Sequence, residues 1–218
     1  MKPVIAIISA LTLGLFTAGP ATATPFNVYD VEINDGETVT LSTPISDTFA
    51  FGQIVLTTSV GTIDAWCIDL FHDIYVGGGQ DLPYTTGAIT TNGAGQPLNA
   101  TQTAEIAGLI VNGDALLSGG GTPDISLATQ LAIWSVEYPG VFTYSGGASV
   151  TAETNALIAL APELSGEGVA LISLTGLQGL ATATPTNSTT ASVIPEPASL
   201  VLLSAGLFGL GWFWRARR

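Results

Sequence analysis

Between residues 3 and 214 the sequence contains no lysine and no arginine; the four basic residues are Lys2, Arg215, Arg217 and Arg218. Whatever folds in that interval does so without a Lys or Arg salt bridge, so apolar burial and hydrogen bonding must hold the core. The 17 Asp plus Glu bring the formal net charge to -13. Nucleic acid is thereby excluded as a partner, because phosphate contacts need cations that this chain lacks. Hydrophobic residues make up 47%, enough for one real core, and 26 Gly with 12 Pro point to a loop-rich fold containing strands.

The cations sit in what read as targeting segments. Lys2 precedes an apolar run, Val4 to Phe16, and the Ala21-Thr22-Ala23 triplet places small residues where a signal peptidase needs them. Residues 1–23 therefore read as a secretory signal peptide. At the other end, Ala198 to Trp214 is apolar throughout and is followed by Arg215-Ala216-Arg217-Arg218. A bilayer-spanning helix needs about 17 to 25 apolar residues, so this segment reads as a short transmembrane helix, with the basic cluster on the cytoplasmic side. Just upstream lie Pro195, Glu196 and Pro197. A Pro-Glu-Pro box, a short apolar helix and a terminal Arg cluster, in that order, resemble the PEP-CTERM sorting signal. The resemblance implies export, transient anchoring by the C-terminal helix and processing near the box by an exosortase. A plain C-terminal anchor would give the same topology without removal of the tail.

The middle of the chain predicts an α+β fold: an antiparallel β-rich lobe with a small helical lobe, plus the C-terminal transmembrane helix. Residues 26–70 are rich in Val, Ile, Thr and Phe, with turn signals at Asn34-Asp35-Gly36 and Val60-Gly61-Thr62, and read as antiparallel strands joined by hairpins. Residues 77–100, with Gly77-Gly78-Gly79, Gly93, Gly95 and Pro97, read as a long loop or irregular ribbon. Ala104, Ala107, Ile110 and Val111 then share one face of a helix expected to stop at Asn112-Gly113. A second helix is expected from Thr122-Pro123-Asp124 through Leu127, Gln130, Leu131 and Trp134 to a stop before Pro139, and a third over Thr151 to Leu160. Val169 to Thr175 alternates like a strand, and residues 176–194, rich in Thr, Ser, Ala and Pro, read as a flexible spacer before a sorting segment at 195–218.

A secreted chain with a single cysteine cannot form an internal disulfide. Cys67 stands in Ala65-Trp66-Cys67-Ile68-Asp69, an apolar strand end, and its plainest role is that of a small buried hydrophobe. A second motif, Ala128-Thr129-Gln130-Leu131-Ala132-Ile133-Trp134, gives a fuller reading. It resembles the Thr-Gln-x-Ala-Ile-Trp signature of the thioester domains of Gram-positive surface adhesins. Trp66-Cys67-Ile68 resembles that family's upstream aromatic-Cys-apolar motif, and Ile106 to Gly113 the apolar helix between the two. The resemblance spans roughly residues 26–175.

The resemblance implies that the Cys67 thiol and the Gln130 carboxamide condense, with loss of ammonia, into an internal thioester. A thiolate is both nucleophile and leaving group, and Gln offers a carbonyl that is activated once its nitrogen departs. Thr129, Ala132 and Trp66 belong to the two motifs. Trp134, four residues after Gln130, shares its helix face and would exclude water. Helix N–H groups near Gln130 would polarise the acyl oxygen. An amine or hydroxyl of a surface or matrix component would attack the acyl carbon and become joined to Gln130.

His72 is a candidate local base, and otherwise an ordinary imidazole. Asp64, Asp69, Asp73 and Asp81 lack the spacing of a calcium loop and read as solvated acids. No cofactor or metal site is expected, and no acid, base or metal cluster supports a secreted enzyme. The expected function is that of an exported cell-surface or extracellular-matrix protein, adhesive through the thioester. The alternative is a non-covalent, exopolysaccharide-associated envelope protein with a free Cys67.

Overall fold

A computed structural model describes residues 25–35, 38–49, 51–74 and 81–184 of the chain. The signal-peptide and C-terminal helix expectations lie outside these residues. Among the described residues no helix is long and apolar enough to cross a membrane. The described residues form a mixed α/β fold: a β-barrel with a second small sheet and three α-helices.

Six strands close the barrel in the order β1 (Pro25–Asp35), β4 (Gly52–Thr58), β5 (Gly61–Cys67), β9 (Leu180–Ala183), β8 (Gly168–Ser173), β6 (Leu82–Gly87), every neighbouring pair antiparallel. β1 is long enough to serve two neighbours. Its first residues pair with β6 and the remainder with β4, with a register shift between Val28 and Asp30 where one partner gives way to the other. A separate three-stranded sheet is ordered β3 (Asp47–Phe49), β2 (Val39–Thr43), β7 (Thr143–Ser145). The turn signal at residues 34–36 therefore does not make a hairpin. The end of β1 pairs with β4 instead, and β2 pairs with β3 and β7 in the second sheet. The signal at residues 60–62 does make one, β4 to β5, with Gly61 at φ +117°, a conformation open to glycine at little cost.

The helices are α1 (Ala100–Ser118), α2 (Pro123–Glu137) and α3 (Ala148–Leu160). Asn99 caps α1 by a reciprocal box with Gln102. This helix runs on through Asn112-Gly113, the expected stop. Gly113 is needed there for contact, since a Cβ at that position would lie 2.6 Å from Thr129 Cγ2 and 2.9 Å from Trp66 Cζ2. The buried face is Ile106, Ala107, Leu109, Ile110 and Gly113, whereas Ala104 is exposed and Val111 only partly covered. Two strands lie where loop or spacer was expected. β6 falls in the Gly-flanked 77–100 stretch and contains Pro83, which masks its strand character. β9, Leu-Ala-Thr-Ala, falls at residues 180–183 of the expected spacer and closes the barrel between β5 and β8.

Two apolar clusters meet at α2. One gathers Val28, Leu56, Ala65, Cys67, Leu82, Tyr84, Leu171 and Leu180 from all six barrel strands, together with Leu127, Leu131 and Trp134. The other joins Trp66 to Ile106, Leu109 and Ile110 of α1 and to Ala128, Ala132 and Ile133 of α2. β5 feeds both clusters because successive side chains leave a strand on opposite faces. Flanked on both sides, α2 is buried from Ser126 to Trp134, which is why its sequence is apolar nearly all round.

Candidate functional site

Cys67 is the last residue of β5, just beyond the final pairing with β4, Ile54 with Ala65. Gln130 of α2 takes over where the pairing with β4 stops. The Cys67 N–H donates to Gln130 Oε1 at 2.9 Å, and Gln130 Nε2 donates to the Cys67 carbonyl at 2.8 Å. The carboxamide thus bonds the strand edge as another strand would. Gln130 is fully buried and Cys67 is 4% exposed. Gln130 lies well past the first turn of α2, where helix N–H groups are free, so the donor on its acyl oxygen is the Cys67 N–H rather than a helix terminus.

The other motif residues divide. Trp134 packs in the same cluster as Cys67 and is held edge-on against Phe51 (4.6 Å between ring centroids) and Phe142 (5.8 Å). Trp66, Thr129 and Ala132 turn toward α1. The Trp66 indole donates to Asp114 Oδ1 at 2.9 Å, the Thr129 hydroxyl to the Ile125 carbonyl at 2.8 Å, and Ala132 sits in the second cluster. Asp114 also accepts from Gln53 Nε2 at 2.8 Å. Burial raises its carboxyl above the ordinary range, against the pull of these two hydrogen bonds.

A cavity of about 270 Å³ reaches Cys67 from the surface. Phe51, Ile54 and Trp134 line it beside the cysteine, with Asp47, Asp69, His72 and Asp73 among its polar residues. Asp64, Asp73 and Asp81 are exposed, but Asp69 is buried, unlike the solvated acid expected from its spacing. Its Oδ2 lies 2.7 Å from His72 Nδ1, and its Oδ1 accepts the Phe71 N–H at 2.9 Å. The Asp-x-x-His spacing was the one sign of this pair in the sequence. Among the described residues, no three His, Cys, Asp or Glu side chains come together as a metal site.

Burial pushes the Cys67 thiol far up from its ordinary value, and the nearby charges of Glu137, Asp69 and Asp73 push in the same direction. Glu137 is itself buried, with neither carboxyl oxygen hydrogen-bonded, and burial followed by the Asp69 charge raises its carboxyl well above the usual carboxylate range. No sequence signal marks it beyond its place at the end of an apolar helix.

The family model of the PEP-CTERM protein-sorting motif matches residues 193–218. The chain carries that signal, which is recognised by an exosortase and marks an exported surface protein anchored through its C-terminal region. A search of curated proteins gives no match. Among solved structures, the chain is similar to the N-terminal thioester domain of a surface protein from Clostridium perfringens, at 12% identity and a TM-score of 0.48, over 74% of this chain and 99% of that one.

Proposed function

We propose that this exported protein attaches itself covalently to a partner through an internal thioester between Cys67 Sγ and Gln130 Cδ. The observation that carries the reading is the double hydrogen bond between the Gln130 carboxamide and the Cys67 main chain, buried beside a cavity that reaches the cysteine. The Cys67 N–H draws electron density from the Gln130 carbonyl, as an oxyanion-hole donor does. Attack by sulfur on Cδ forms the S–C bond, the C–N bond breaks, and the amide nitrogen leaves as ammonia with the one proton that the thiol gives up. Trp134 and Phe51 cover the product and limit hydrolysis.

An amine or hydroxyl of a surface or matrix component then attacks Cδ, and Cys67 leaves as the thiol. The exported domain contributes no lysine, so it offers no ε-amine to consume its own bond or that of a sister molecule. Each molecule reacts once, which makes it an adhesive acyl donor rather than an enzyme with turnover. The test is incubation with isotope-labelled methylamine followed by peptide mapping. Label at Gln130, absent from Cys67→Ala, is expected; label nowhere in the chain contradicts the reading.

The same two hydrogen bonds also give the carboxamide oxygen and nitrogen one partner each without condensation. This favours, as a second reading, a structural envelope protein that associates non-covalently with exopolysaccharide and keeps Cys67 as a free thiol. It predicts no label.

A further inference from the structure

We propose that His72, oriented by Asp69, is the general base for the nucleophile that attacks the Gln130 acyl carbon. This inference rests on the thioester reading. His72 is the only histidine in the chain, and no amine side chain lies between residues 3 and 214 to serve instead. Its side chain is 51% exposed and lines the same cavity as Cys67, so a group that enters this cavity shares it with both the imidazole and the cysteine. Asp69 is fixed from several sides. Oδ1 accepts the Phe71 N–H, Oδ2 accepts the Gly179 N–H at 3.4 Å, and a Cβ on Gly93 would fall 2.3 Å from Oδ1, so the loop packs directly on the carboxylate. A carboxylate held 2.7 Å from Nδ1 keeps the proton on that nitrogen and leaves the lone pair on Nε2.

The step balances without an added reagent. Nε2 takes the proton of a hydroxyl as its oxygen bonds to Cδ; a neutral amine bonds without that help and gives its proton to Nε2 only afterwards. The tetrahedral intermediate collapses, the C–S bond breaks and its electron pair stays on Sγ. Burial disfavours a thiolate at Cys67, so the imidazolium returns the proton to sulfur and His72 ends neutral.

The test measures, on the full-length exported protein, how fast the ammonia mass deficit disappears with glycerol and with hydroxylamine. An alcohol needs its proton removed, whereas hydroxylamine attacks as a neutral amine without that help. His72→Gln is expected to slow glycerol by about 100-fold or more and hydroxylamine by only about threefold, with added imidazole restoring part of the glycerol rate. Asp69→Asn is expected to fall between the two proteins with glycerol. Equal glycerol rates in wild type and His72→Gln, equal slowing with both nucleophiles, or a deficit missing from His72→Gln alone would each overturn the role and leave the thioester reading standing. A wild-type protein with no deficit overturns both.

Discussion

Gln130 holds the main chain of Cys67 at both its donor and its acceptor, so one side chain replaces a strand neighbour at the edge of a closed barrel. Removing it leaves a buried N–H and a buried C=O without partners. Gln130→Ala, made in a Cys67→Ala background so that no cross-link contributes, is expected to lose about 2–5 kcal/mol in urea unfolding. Cys67→Ala alone takes away only a sulfur atom and leaves both hydrogen bonds possible. A loss no larger for the double variant than for the single one would show that the clamp contributes nothing.

Gly113 marks the closest approach of α1 to Trp66 and Thr129. A methyl group there meets Thr129 Cγ2 at 2.6 Å, well inside van der Waals contact. Gly113→Ala is expected to lower stability by about 1–3 kcal/mol despite the better helix propensity of alanine. Adding Thr129→Ser, which deletes Cγ2, should recover part of the loss in thermal melts. Stabilisation by Gly113→Ala alone would mean that the helix does not pack this tightly.

These two sites also divide what was legible in the sequence from what was not. Strand and helix character at β4, β5, α2 and α3 followed from periodicity and turn residues, whereas the expectation that Cys67 and Gln130 lie together came only from the family resemblance of two short motifs far apart in the chain. Gly113 misled because the residue that ends a helix also permits close packing, and only the fold tells which use applies. β6 and β9 were hidden for a related reason. Pro83 and the alanines of β9 carry weak strand propensity, and their pairing with strands distant in sequence overrides it. The burial of Asp69 and Glu137 depends on what packs over them, so the reading from spacing placed Asp69 wrongly.

Glu137 makes stability depend on pH. Its folded-state carboxyl is raised above the ordinary value, so the native state binds the proton more tightly than the unfolded chain does. The stability this contributes is fully present below the ordinary carboxylate range and is lost as pH rises through the raised value. Glu137→Gln removes that loss. Wild type should therefore weaken relative to Glu137→Gln as pH is raised from 4 toward neutrality, in parallel urea titrations. Parallel curves for the two proteins across that window would contradict the assignment.

Trp134 lines the cavity beside Cys67, and its indole is fixed between Phe51 and Phe142. Trp134→Leu keeps an apolar side chain but opens space for water. The mass deficit in that variant should decay faster in plain buffer than in wild type, by about tenfold or more if water exclusion is worth about 1.4 kcal/mol or more of barrier. An unchanged decay would leave Trp134 as core packing only.

The central claim is the Cys67–Gln130 bond itself, and the intact mass of the exported protein tests it most directly. A mass short by one ammonia, restored to a methylamine adduct on treatment and never short in Cys67→Ala or Gln130→Ala, is the predicted result. A full unmodified mass, with a Cys67 thiol that titrates upon unfolding before any amine is added, would contradict it.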